Sequence, residues 1–347
     1  MSALPATTIV YDSYWRFAAE RLAVYYRRFS NPQGPWTKDD TLRNFRFTNA
    51  FRASDRVSQY LIRDVQYKAG RDQTLPEVFF RTLLFKIFNR IDTWEHLEAR
   101  LGQLSWKYVQ LEDVEVVLDE LLRSGHRIYS AAYIMPSPNF GKARKHSNHL
   151  ALIAKMMSDD LPTKIAKTRS LRSAYELLLE YPGLGPFLAF QYTIDLNYSS
   201  IMHFDEADYV VAGPGALDGI SKCFVNGHTL DPVRIINLMV EQQEIEFQKR
   251  GLPFKGLFGR PLQPIDCQNI FCEIAKYARV VHPEVPGISG RTRIKQRYQE
   301  SVAKEVAAPM FPPKWDLRER EVEAPSGANR QKQFALFGDD TRNSVVR

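Results

Sequence analysis

The residues best placed to do chemistry gather near the middle of the 347-residue chain. Tyr181-Pro182-Gly183-Leu184-Gly185-Pro186 separates two apolar-periodic stretches, 171–180 and 187–195, a pattern that reads as helix, tight turn, helix. Gly183 and Gly185 permit positive φ and close backbone approach to a ligand, while Pro186 suits the first turn of the second helix. Exposed amides at such a helix start can dock a phosphate. Three carboxylates follow: Asp195 ends the second stretch, and Asp205 and Asp208 lie beyond it. A carboxylate removed from water stabilises positive charge developing beside it. The plainer reading is that these acids cap a helix or face water near Gly213-Pro214-Gly215, and that the glycine pair is only a turn. Upstream, Lys142, Arg144 and Lys145 form a basic loop suited to phosphates or to simple solvation. Asn49, Arg52, Asp55, Arg56 and Gln59 recur three or four apart, which places several on one helical face rich in donors and acceptors. That face could hold a base or a phosphate, or join two helices through a buried polar network.

The elements that position these residues are helices. Apolar side chains recur at helical spacing in Tyr14-Phe17-Ala18-Leu22-Tyr25, in Val57-Tyr60-Leu61-Val65 and in Phe79-Leu83-Leu84-Ile87-Phe88. The same pattern runs through 114–122, 149–157, 232–243 and 267–280, and sustained period-two alternation is scarce. The fold is therefore expected to be mainly α, with any strands short. A helical domain over 1–288 is expected, followed by a basic arm and extended tail over 289–347. Residues 289–304 carry Arg291, Arg293, Lys295, Arg297 and Lys304 against Glu300, and Pro309, Pro312 and Pro313 then interrupt regular structure. The net charge of +7 suits a polyanionic partner without demanding one. Three cysteines are too few for a disulfide framework or a four-cysteine metal site, and the seven histidines form no metal-binding motif, so neither metal nor cofactor is expected. Residues 1–14 do not read as a signal peptide and no apolar run approaches a membrane span, which points to a soluble cytoplasmic protein.

The segment from Leu171 to Asp195 resembles the hairpin of the helix-hairpin-helix DNA glycosylase superfamily, with Ala189 at the small position four residues after the second glycine. In that superfamily a catalytic aspartate lies about twenty residues past the second glycine, where Asp205 stands here. Asp208, ahead of Tyr209-Val210-Val211, is similar to the superfamily's Asp-x-x-Val pattern and is the first choice, with Asp205 second and Asp195 third. Lyases of the superfamily carry a lysine where this chain has Phe187. The resemblance therefore implies a monofunctional enzyme in which water attacks C1′ as the base leaves, with one carboxylate stabilising the oxocarbenium-like sugar. A narrower resemblance covers much of 44–282. Asn44 to Ile62, Leu84 to Asn89, Phe187 to Tyr198, Asp208 to Ala216 and Asp266 to Tyr277 look like the helical domain shared by phage 5-hydroxymethyluracil DNA kinases and alpha-glutamyl/putrescinyl-thymine pyrophosphorylases. A phosphate-binding Gly-x-x-x-x-Gly-Lys-Ser/Thr loop is missing: the nearest approach, Gly251 to Gly256, continues with Leu257.

These resemblances lead to the expectation of a DNA glycosylase, a hydrolase of the N-glycosidic bond. Its substrate would be a flipped, bulky modified pyrimidine such as a glycosylated 5-hydroxymethylcytosine, and antiviral defence would be its setting. Gly183, Gly185, Lys142, Arg144 and Lys145 would bind DNA, and Asn49, Arg52, Gln59, Tyr133 and Tyr209 would line the base pocket. The alternatives are a base-hypermodification enzyme acting on a 5-substituted thymine derivative and a non-catalytic DNA-binding module. Near the end, Gln333-Phe334-Ala335-Leu336-Phe337 resembles the short motif by which bacterial proteins dock on the sliding clamp; the plainer reading is an apolar patch that ties the terminus back.

Overall fold

A computed structural model of the chain describes residues 4–31, 33–131, 135–299 and 307–317. It divides into a large compact unit, Met1–Pro312, and a second unit, Pro313–Arg347, whose described residues form a single 3-10 turn at Pro313–Trp315. The fold is mainly helical, as the periodicity implies. The described residues hold thirteen α-helices, and their only β pairings are isolated bridges.

The chain opens with α1 (Ile9–Ser30), capped by the Thr8 hydroxyl, which accepts from the Val10 amide. Short helices α2 (Asp40–Asn44) and α3 (Arg56–Tyr60) flank a 3-10 turn at Arg52–Ser54. Then come α4 (Leu75–Phe88), α5 (Ile91–Leu101), α6 (Leu111–Arg123), α7 (Lys145–Ser158) and α8 (Leu161–Ala166). The hairpin pair is α9 (Leu171–Leu179) and α10 (Pro186–Tyr198). The chain continues with α11 (Pro214–Cys223), α12 (Pro232–Lys249) and α13 (Pro264–Val281).

Two mainly apolar helices are buried on all sides rather than along one face. In α4 every residue from Glu77 to Phe88 is buried, and in α10 every residue from Leu188 to Tyr198. Helices α7, α8 and α10 all pack on α4. At the other side α1, α11 and α12 gather on α13, so the N-terminal helix completes the C-terminal half. Gly219 permits the tight crossing of α11 and α13: a Cβ there would stand 2.0 Å from the Phe271 carbonyl oxygen.

The central helices carry charged and amide side chains into the interior, and each buried polar group needs a partner. The C-terminus of α10 shows how this is met. A π-helical turn at Leu61–Gln66 delivers two consecutive residues to its last carbonyls. Gln66 donates to the Asp195 oxygen at 2.8 Å and Tyr67 to the Tyr198 oxygen at 2.9 Å, while Ser199 donates to that of Leu196. These are carbonyls that a helix end leaves without intrahelical donors.

Residues beyond 288, which the composition assigns to a basic arm, lie partly against the helical body. The Ser289 amide donates to Asp218 at 2.9 Å, and residues 296–298 pair with 44–46 through the Arg46 and Tyr298 amides. Arg291, Arg293 and Lys295 are exposed.

Candidate functional site

The sequence places Arg52 on a helical face with Asn49 and Gln59, but the structure breaks that stretch into an extended loop, a 3-10 turn and α3. Arg52 turns inward from the 3-10 turn and meets α10. Its Nη1 lies 2.8 Å from Asp195 Oδ1, its Nε donates to Gln191 at 3.0 Å, and its guanidinium lies 5.5 Å from the Tyr198 ring centre. Lys86 of α4 reaches Asp195 Oδ2 at 3.1 Å and donates to Asn89 at 2.7 Å. Asp195 is fully buried, and Arg52 and Lys86 are 6% and 4% exposed. Burial lowers the Lys86 pKa, against the attraction of Asp195. Asp266 closes the network from α13 by accepting the Arg52 amide at 2.8 Å; desolvation first, then Glu206, pushes its carboxyl up to about 7. Two cations bracketing one dry carboxylate form an ionic lock between helices. Removing one member would leave an uncompensated buried charge.

Asp205 and Asp208 lie at the opposite extreme. Both are exposed in the turn after α10, where Asp205 accepts the Ala207 amide at 3.0 Å and its carbonyl accepts the Asp208 amide at 3.2 Å. The acid between them, Glu206, is buried and pairs with Arg260 at 2.8 Å. Tyr209 is half-buried on the hairpin, 5.2 Å from the Tyr175 ring and 6.2 Å from that of Phe190, with Arg172 at 6.0 Å. Asn49 accepts from Arg21 at 2.7 Å and donates to the Ser54 carbonyl at 2.8 Å. Gln59 donates to the carbonyls of Ala53 and Met310 and accepts the Met310 amide. Tyr133 and the segment Gln333-Phe334-Ala335-Leu336-Phe337 lie outside the described residues.

The hairpin and the basic loop are brought together. Gly183 has φ +84°, and a Cβ there would sit 3.3 Å from Pro138, so the turn leans on the loop that leads to Lys142. Two residues of α7 brace that loop. Asn148 accepts the Phe140 amide at 2.8 Å and donates to the carbonyls of Lys142 and Arg144. His149 Nε2 donates to the Pro136 carbonyl at 2.8 Å, so its Nδ1 accepts the Tyr129 hydroxyl at 2.7 Å. Burial lowers the His149 pKa to about 4, which keeps the ring neutral near pH 7. Lys142 is exposed, Arg144 pairs with Asp119, and Lys145 lies 4.5 Å over the Tyr129 ring, with burial lowering its pKa. Sequence reasoning missed Lys86, Glu206, Asn148 and His149. Only His149 carried a signal, as a polar residue in the apolar stretch 149–157. Among the described residues no group of three or more His, Cys, Asp or Glu side chains could hold a metal ion, and no helix is long and apolar enough to cross a membrane.

A mainly helical body pinned by an ionic lock, with a glycine hairpin leaning on a braced basic loop, defines the architecture of the described residues. The chain belongs to the family described as 5-hmdU DNA kinase, helical domain, whose profile matches residues 8–287. It is similar to the 5-hmdU DNA kinase of Bacillus phage SP10, at 22% identity over 289 residues, which is 77% of this chain and 45% of that protein. The chain thus spans less than half the length of that relative. No solved structure matches it.

These findings overturn the glycosylase expectation. The match is to a kinase, a group-transfer enzyme, so the assignments of DNA glycosylase and hydrolase fall, and with them the antiviral excision of a glycosylated base. The catalytic role given to Asp208, Asp205 and Asp195 rested on that chemistry. The geometry supplies the physical reason: Asp205 and Asp208 are exposed to water, and Asp195 has no surface to offer a sugar.

Proposed function

We propose that this chain works in the modification of DNA bases, holding DNA that carries a 5-substituted pyrimidine of the 5-hydroxymethyluracil kind for a group-transfer reaction. The observation that carries this reading is the family match, whose span takes in the ionic lock, the hairpin and the basic loop together. The named substrate of the relative points the same way.

The hairpin and the braced loop are the DNA-contacting surface in this reading. Arg144 and Lys145 stand at the start of α7, where the helix dipole disfavours positive charge. Cations held against a dipole gain from a bound anion, and Gly185 and Pro186, at the start of α10, are exposed next to the Gly183 turn that leans on Pro138. A second reading, a binding module without chemistry of its own, is favoured by one feature. The 347 residues contain no Gly-x-x-x-x-Gly-Lys-Ser/Thr loop, the phosphate cradle of P-loop enzymes.

The test is binding to matched duplexes carrying 5-hydroxymethyluracil or thymine across a range of salt concentrations. Tighter binding to the modified duplex is expected, with affinity falling as salt rises. Equal affinity for the two duplexes would refute the proposal. Phosphate transfer from ATP to the modified duplex by the chain alone would refute the second reading.

A further inference from the structure

Residues 307–312 lie as a strap across Gln59 and the loop around Phe258. Gln59 accepts the Met310 amide at 2.9 Å and returns a hydrogen bond to the Met310 carbonyl at 3.0 Å. Phe311, 6% exposed, packs its ring 5.7 Å from that of Phe258. Phe258 is itself held at φ +49°, a left-handed conformation costly for an aromatic residue and maintained only where the surroundings impose it. Tyr26 imposes it: its hydroxyl accepts the Phe258 amide and donates to the Gly256 carbonyl.

The amide of Gln59 cannot flip. Its nitrogen also donates to the Ala53 carbonyl at 2.8 Å, and reversing the group would set oxygen against oxygen. Gln59 therefore presents a fixed pair, one acceptor and one donor, beside an aromatic face. A uracil-type base offers the complement, an N3–H donor next to a C4 carbonyl acceptor. Cytosine offers the reverse, an N3 acceptor next to an amino donor. Extruded bases are held by this combination of edge hydrogen bonds and aromatic stacking.

We propose that Gln59 and Phe258 form a binding site for an extruded uracil-type base, and that the strap fills it in the absence of DNA. Met310 stands in for the base edge, and Phe311, tilted 58° to Phe258, covers the ring on which the base would stack. The inference rests on the reading of the chain as a DNA-base-modification protein and deepens it by naming the selecting groups. Strap occupancy reduces the fraction of binding-competent protein, so loosening it raises apparent affinity.

Full-length Phe311→Ser and Phe311→Ser with Gln59→Leu test this, using fluorescence anisotropy on duplexes carrying 5-hydroxymethyluracil or 5-hydroxymethylcytosine. Phe311→Ser is expected to tighten binding of the uracil duplex roughly tenfold and leave the cytosine duplex unchanged. Adding Gln59→Leu is expected to abolish that gain. Met310→Pro, which removes the amide Gln59 accepts while keeping Phe311, is expected to give a smaller gain in the same direction, and it replaces Phe311→Ser should that variant not fold. Equal tightening of both duplexes, or a uracil preference that survives Gln59→Leu, overturns the site. A wild-type preference for 5-hydroxymethyluracil that no strap variant alters overturns the site alone. No binding of either duplex by any form overturns the DNA reading together with it.

Discussion

Asp195 and the pair Asp205 and Asp208 are carboxylates ten to thirteen positions apart, yet they occupy opposite physical worlds. Asp195 lies in the interior between Arg52 and Lys86, on a helix that is buried all round. Asp205 and Asp208 lie in a wet turn and satisfy only local amides. A carboxylate gains chemical power from partial desolvation beside an open cavity, and neither region offers that state. The interior acid is compensated on both oxygens, and the surface acids are bathed in high dielectric. Residue type and spacing near a hairpin therefore do not fix a role; partners and solvent do.

Breaking the lock should have the largest effect. Asp195→Ala leaves Arg52 and Lys86 facing each other without a counter-charge, with an expected loss of about 3–5 kcal/mol in chemical denaturation. A triple replacement of Arg52, Lys86 and Asp195 by apolar residues should lose much less, because no orphaned charge remains.

Acid titration probes the brace of the basic loop. The folded pKa of His149 is lowered from 6.5 to about 4, so the unfolded chain takes up the proton first. Its contribution to stability is complete above about pH 6.5 and is lost as pH falls towards 4. His149→Gln should flatten that part of the stability profile, measured by thermal unfolding against pH.

Gly219→Ala tests the crossing of α11 and α13 and should cost about 1–3 kcal/mol of unfolding free energy in denaturant titration, since the added methyl meets backbone. Lys142→Ala should leave stability unchanged and lower the slope of log affinity against log salt by about one in DNA binding. Asp205→Asn and Asp208→Asn should sit at the bottom of the scale, within about 0.5 kcal/mol of the parent. A loss of several kcal/mol from either would erase the contrast drawn above.

The helical fold was legible because its signal is local. The apolar recurrence in 79–88 and 187–196 marks α4 and α10, and the glycine pair with Pro186 marks the turn between α9 and α10. The site was much less legible because its partners are distant in sequence. Arg52 and Asp195 are separated by 143 positions, and no periodicity connects them. The spacing of Asn49, Arg52 and Gln59 suggested a shared face, but the 3-10 turn at Arg52–Ser54 sends them to Arg21, Asp195 and Met310 respectively. Glu206, flanked by two exposed acids, gave no local sign of its burial against Arg260.

The wide turn at Leu61–Gln66 acts as a phase shifter between two stretches of chain. Each residue of a regular helix advances about 100° around the axis, so deleting a single residue there would swing Gln66 and Tyr67 away from the two carbonyls they serve. Among natural variants of this protein, length changes should collect in surface connections such as the one between α5 and α6, and that six-residue stretch should keep its count even where its letters differ.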